Sequence, residues 1–376
     1  MKTIAQVHAN SHRRIAGARC SLLPLAALTL SGAASAQSSV TLFGIIDTGV
    51  QVVRNSGGGS VTRLSSSGIS ASQIGFRGVE DLGGGLGAGF WLEGSIGPDD
   101  GTGRPSNSNN QASGAGSSQA LSFNRRSTVS LLSPWGEVRL GRDFNPAYWN
   151  LSVFSAFSTL GVGGTQLAAS IVTGATSTWT SNAIAYYLPA NLGGIYGQVQ
   201  HFRGENTSNS GAIEHDGTGS GLRLGYRAGP IDISGAVSRT ERAGPLGDVR
   251  QANIGVSWDF DVVKLMAVLS RDRGSVGTVA ADGRGWSLGV VMPVGAGDIR
   301  LGASQYTTEL ATGTSPQTRK VAIAYRHYLS KRTTLYTAFA RGHNSDGAAA
   351  SVVAGAGSPA ANRGSSGFDF GIRHGF

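Results

Sequence analysis

The chain has 376 residues and a formal net charge of +9, with only 14% charged against 40% hydrophobic side chains. It has 58 glycines, but they lack the every-third-residue period of collagen, and charge is too sparse for a disordered chain. No run of about 20 apolar residues offers a membrane-spanning helix, which leaves an all-β protein, soluble or membrane-embedded.

The first segment is an address. Lys2, Arg13, Arg14 and Arg19 precede an apolar stretch from Leu22 to Leu30, and Ala34-Ser35-Ala36 supplies a small-x-small cleavage site. Residues 1–36 therefore read as a cleaved secretory signal. The Arg13-Arg14 pair is ordinary n-region charge, because the motif around it is poor for a twin-arginine signal. Arg19 before Cys20 argues against a lipoprotein cysteine. Cleavage after Ala36 removes four basic residues and no acid, so the +9 falls to +5, and it removes Cys20, the only cysteine. Residues 37–376 then form one domain without disulfides.

From Ser39 onward the chain repeats a run of alternating polarity closed by a turn. Val40, Leu42, Ile46, Val50 and Val52 share one parity, while Thr41, Asp47 and Gln51 take the other, with Phe43 and Ile45 as exceptions. Leu86, Ala88, Phe90 and Leu92 repeat the pattern, as do Ile299, Leu301 and Ala303. The final run places Phe368, Phe370, Ile372, His374 and Phe376 on the apolar side. Tight connections at 81–84, 133–136, 228–230, 259–261, 293–295 and 329–332 alternate with long polar ones at about 55–67, 98–120, 145–178, 205–218, 274–282 and 344–363. Short turns at one end and long loops at the other predict a transmembrane antiparallel β-barrel of about sixteen strands. A soluble sandwich would share the alternation but would not end on an outward phenylalanine.

Six segments carry a resemblance: SSVTLFGIIDTGV (38–50), IGFRGVEDLGGGLGAGFWLE (74–93), FNRRSTVSLLSPWGEVRLGRDFNPAY (123–148), AIAYYLPANLGG (183–194), YRHYLSKRTTLY (325–336) and FDFGIRHGF (368–376). The chain resembles the trimeric general porins of Gram-negative bacteria, of the sixteen-stranded kind. The resemblance implies an outer-membrane homotrimer of water-filled pores for passive diffusion of small hydrophilic solutes and ions. It also implies contact with outer-membrane lipid and lipopolysaccharide, and a C-terminal signal, Phe376, read by the barrel assembly machinery. The connection after the fifth strand, 145–178, is then an inward-folded constriction loop carrying Tyr148, Trp149, Phe154 and Phe157.

Selectivity in such a pore depends on charges near its narrowest part. The resemblance puts Arg77 and Arg125 on the wall, and parity adds Arg139 and the acids Asp47 and Glu93. A bulge would exchange Arg125 with Arg126, and Arg142 falls on the outward parity, where a subunit contact would hold it. Two features depart from the family. No Asp, Glu, Lys or Arg occurs from Phe144 to Phe202, so the loop lacks acids, and Thr178-Trp179-Thr180-Ser181-Asn182 lacks a wall arginine. A basic lining without an acidic counter-face predicts a lean to small anions.

Other classes fare worse. No G-x-S-x-G elbow or Ser/His/Asp arrangement supports an enzyme. His215 between Glu214 and Asp216 reads as solvated loop rather than a metal site, and GGGLGAG at 83–89 is followed by no helix that could hold a nucleotide. Neither cofactor nor nucleic acid is expected. The competing reading is a plugged surface barrel acting as an adhesin or partner-binding protein.

Overall fold

The computed structural model describes residues 39–116, 120–169, 178–243 and 247–376. The signal segment 1–36 lies outside the described residues. Among the described residues seventeen antiparallel strand segments form one sheet. They are β1 (Ser39–Asn55), β2 (Gly59–Ser66), β3 (Gln73–Gly83), β4 (Leu86–Ser95), β5 (Arg126–Ser133) and β6 (Gly136–Phe144). Then follow β7 (Trp179–Tyr187), β8 (Ile195–Phe202), β9 (Gly219–Ala228), β10 (Ile231–Thr240), β11 (Val249–Asp259) and β12 (Lys264–Val276). The last are β13 (Val279–Val294), β14 (Gly297–Leu310), β15 (Gln317–Tyr328), β16 (Thr333–Ser345) and β17 (Ser365–Gly375).

The sheet closes where β1 pairs with β17, from Ile45 opposite Gly375 to Asn55 opposite Ser365. Closure satisfies backbone groups that lipid cannot. Seventeen segments make sixteen staves because β2 and β3 share one. β2 pairs with the upper part of β1, Thr48 to Asn55, and β3 with its lower part, Ser39 to Ile45. The detour between them, 67–72, is held by Asp47. Its carboxylate accepts the amide N–H of Gly68, Ile69 and Ser70 and the Tyr336 hydroxyl, at 2.6–3.1 Å.

Two of the expected long connections are short. The 55–67 stretch contains a three-residue turn and the whole of β2, and 274–282 contains only a two-residue turn between β12 and β13. Glycine and serine there sit in paired strands, where cross-strand hydrogen bonds outweigh their turn preference.

Alternation assigns the faces. Along β9 the odd positions Gly221 and Arg223 are buried, and the even positions Leu222, Leu224 and Tyr226 are about half exposed on the outside. Aromatics gather on the outer face near the tight-turn end, among them Trp135, Tyr226, Trp258, Phe260 and Tyr325. Such a girdle marks a membrane interface. The apolar core lies inside the ring. Val53, Val162, Ala338, Ala340, Val352 and Ala356 are buried together, joining the wall to the 145–178 and 346–364 connections.

Candidate pore lining

The connection after the fifth stave begins with α1 (Pro146–Val153), whose first turn is capped by Asn145 Oδ1 accepting from the Ala147 amide. Inward-facing wall groups moor it. Asn150 donates to Ser234 O (3.0 Å) and Asn253 Oδ1 (2.8 Å), and Asn253 donates to Ala147 O. Ser238 donates to Asn145 Oδ1 at 2.7 Å, and Arg223 to Asn150 Oδ1 at 2.8 Å.

Beyond the helix the segment runs along the wall from β11 to β17, over positions that lack side chains. A Cβ at Gly255 would meet the Phe154 ring, at Gly289 the Ala156 methyl, at Gly302 the Phe157 ring and at Gly367 Val162. The glycines are slots for the loop's apolar groups. Gln166 N–H donates to Ser304 Oγ and Val162 N–H to Asp369 Oδ2. Phe154 is therefore 1% exposed and packed into the wall, Phe157 is half-buried, and Trp149 is 36% exposed. Tyr148 stacks on Phe144 and bonds to Thr159 Oγ1 at 2.7 Å, and burial pushes its phenol above the ordinary range.

The facing wall, β3 to β7, carries the arginines over aromatic rings. Arg77 lies 4.9 Å from the Trp91 ring and 5.3 Å from Phe43, and Phe43 faces inward because Gly75 opposite leaves room for its ring. Arg126 lies 4.5 Å from the Trp91 ring, and Arg139 lies 3.9 Å from Tyr187. Ring faces attract guanidinium planes and leave the edge N–H groups available for hydrogen bonds. Together with Glu137 these arginines line a recess of about 420 Å³.

Their charges are not equally available. Arg139 is tied to Glu137 (2.8 Å) and Asp143 (2.5 Å), and Arg126 lies 3.7 Å from Asp143. Arg125 binds Glu93 at 2.5 Å and lies over Phe144 and Trp179. Glu93, 6% exposed, also accepts from Trp91 Nε1 at 3.0 Å. Arg77 is exposed, and among the described residues no carboxylate lies within 4.0 Å of it.

Asp47 faces inward yet is 0% exposed, with its lone pairs used by the 67–72 detour and Tyr336. It is a structural acid, closed to the lumen. No register shift separates β4 from β5, so Arg126 holds the inward strand position opposite Glu93, and Arg125 reaches the wall from the residue before the strand. Arg142 is enclosed by this chain's own 96–125 connection. It donates to Asn124 O, Asn107 O and Ser181 Oγ at 2.5–2.8 Å, beside a register shift between Gly141 and Asp143. Sequence reasoning missed Arg223 on β9, which lies over Tyr196, and the aromatic ring beneath each arginine. An inward aromatic two positions or one strand from an inward arginine was the available signal.

At the closure, Phe376 and Gly44 exchange two backbone hydrogen bonds of 3.0 and 3.1 Å, and the Phe376 ring covers the site of the missing Gly44 Cβ.

The fold agrees with known proteins. A family profile described as Gram-negative porin matches residues 24–347. Outer membrane porin protein 32 of Delftia acidovorans is 37% identical over 373 residues, covering 95% of this chain and 99% of that protein. An outer membrane porin protein of Bordetella pertussis is 27% identical over 360 residues, covering 81% of this chain and 89% of that one. The solved anion-selective porin from Comamonas acidovorans superposes with a TM-score of 0.77 at 35% identity, covering 90% of this chain and all of that one. With its closed sixteen-stave barrel, lipid-ready exterior and charged interior, the chain belongs to the Gram-negative porin family and is an outer-membrane channel protein.

Proposed function

We propose that the channel prefers small anions and that Arg77 sets this preference. The observation that carries the reading is one of balance. Arg77 is exposed and has no carboxylate partner among the described residues, whereas Glu93, Glu137 and Asp143 are engaged by Arg125, Arg126 and Arg139. The 145–178 segment opposite adds no charge of either sign. This stretch of the lumen therefore offers a passing anion an attractive potential, with no acid on the facing segment to compensate it. In this reading 145–178 is the constriction, with Trp149 on its open side, Tyr148 packed on Phe144 beside it, and Phe154 and Phe157 as anchors. Arg125 and Arg139 shape the wall while largely neutralised, and Asp47 and Glu93 maintain the wall rather than filter ions.

The name of the solved relative from Comamonas acidovorans supports the sign. The finer partnerships belong to the same reading: a homotrimer, lipopolysaccharide around it, and Phe376 as the residue read by the assembly machinery. Passive diffusion needs no chemistry on the solute, so no enzymatic role is assigned. Planar-bilayer recording in a KCl gradient tests the reading. A reversal potential of the sign for chloride permeation is expected, and one of the opposite sign would overturn it.

A further inference from the structure

The outer face carries a second charged feature, unrelated to the lumen. On β10 to β13 the outward side chains are apolar from the tight-turn end upward and then become basic at one level. Along β12 the order is Leu265, Ala267, Leu269, then Arg271 and Arg273. Along β11 it is Trp258, Val256, Ile254, Ala252, then Arg250. The ladders align these changes: Arg239 is opposite Arg250, Arg250 opposite Arg273, and Arg271 opposite Arg284. Arg319, Arg341 and Arg54 continue the level around β15, β16 and β1.

Like charges directly opposite one another destabilise a sheet unless something neutralises them. Within the β10–β13 patch five guanidiniums face three carboxylates. Asp248 is shared by Arg239 and Arg250, Asp282 pairs with Arg273 and Glu309 with Arg284. Arg271 has no ion-pair partner among the described residues. Below the arginines lies an apolar groove of about 400 Å³ between Leu222, Val237, Ile254 and Leu269. It is open because Gly235 and Ala252 are small, and it continues upward into a recess of about 590 Å³ edged by Arg239, Arg250, Arg271 and Arg273.

We propose that this patch is a specific seat for a phosphorylated, acylated glycolipid of the outer leaflet, with its phosphates on Arg250, Arg271 and Arg273 and an acyl chain in the groove beneath. The inference rests on the lipid contact named under the proposed function and gives it a place. Excess positive charge at the edge of an apolar belt matches a ligand that is anionic above and hydrocarbon below. Arginine's planar fork suits phosphate oxygens in two-point contacts. A free phosphate would use the arginines but not the groove, and a second copy of the chain would have to supply counter-charge.

The test titrates the detergent-solubilised, delipidated protein with bisphosphorylated lipid A, and separately with inorganic phosphate. The variants are R271Q/R273Q and Gly235→Leu. A Cβ at Gly235 comes no closer than 3.9 Å to its nearest neighbour, the Asn253 carbonyl, so the leucine enters the groove without disturbing the wall. Heat-modifiable mobility checks that each variant is folded. The charge variant should bind lipid A about a hundredfold more weakly, about tenfold for each of its two lost charge-assisted contacts. Gly235→Leu should weaken lipid A binding and leave phosphate binding unchanged. Lipid A bound equally by wild type and R271Q/R273Q would overturn the seat while leaving lipid contact standing. No lipid A binding by the wild type would overturn both. Phosphate competing at the same concentration as lipid A, with Gly235→Leu silent, would make this a free-anion site and refute the proposal. So would a change in oligomer size in R271Q/R273Q with lipid binding intact.

Discussion

Replacing Arg77 by glutamine removes one unit of charge while keeping a side chain that can lie over Trp91. An ion passing about 6 Å from the guanidinium in water feels roughly 0.7 kcal/mol. A Debye length of about 10 Å at 0.1 M salt lowers this to about 0.4 kcal/mol. The energy has opposite sign for chloride and potassium, so their barriers separate by about 0.8 kcal/mol, or about fourfold in permeability ratio. At 1 M the Debye length is about 3 Å and the same charge is worth less than about 1.5-fold. Reversal potentials of wild type and R77Q, measured in KCl gradients centred on these two concentrations, give both ratios. The expected result is a roughly fourfold fall in chloride preference at the lower salt and almost none at the higher. An unchanged ratio at the lower salt would show that ions do not pass Arg77 and would refute the argument from its missing partner.

Arg125→Gln should shift the ratio less than R77Q in the same assay, because its charge is already opposed by Glu93 at 2.5 Å; an equal or larger shift would show that the pair is open to ions. Asp47→Ala strands three amides and the Tyr336 hydroxyl, and breaking such a buried set costs about 3–5 kcal/mol. The barrel should lose its heat-modifiable form at a lower temperature, with Asp47→Asn in between. Gly255→Val should push Phe154 off the wall into the passage and lower single-channel conductance, since the added methyls occupy the slot of the ring; unchanged conductance would mean that the segment's seat on β11 does not limit the passage. Deleting Phe376 should reduce the assembled barrel in outer-membrane fractions, and Gly44→Val should do so too by evicting the same ring.

The strands were legible in the sequence because lipid imposes apolarity on one face, and a period of two survives even among 58 glycines. Where that constraint ends, legibility ends. The upper parts of β1, β2, β12 and β13 have polar residues on both faces, so Gly57-Gly58-Gly59 and the 274–282 stretch looked like loops until the pairing of neighbours was known. Asp47 and Arg77 both read as inward charges. What separates them is nonlocal: Asp47 is consumed by amides 21 to 23 residues away and by Tyr336, 289 residues away. The loop's path left a fainter trace. Gly255, Gly289, Gly302 and Gly367 all fall on inward positions, and glycine repeated there marks something approaching the wall closely.

Val162 from the inner segment and Val352 and Ala356 from the 346–364 connection share one buried cluster. Val352 is also fixed by Lys320 and Ser365, and Asn344 pins the connection's two ends at Ala350 and Arg363. This couples the freedom of a surface segment to vary with the bore of the channel. Substitutions that let the barrel's outer rim evade a phage or an antibody can accumulate at its exposed positions, but at Val352 and Ala356 they would loosen the inner segment and change what the pore admits.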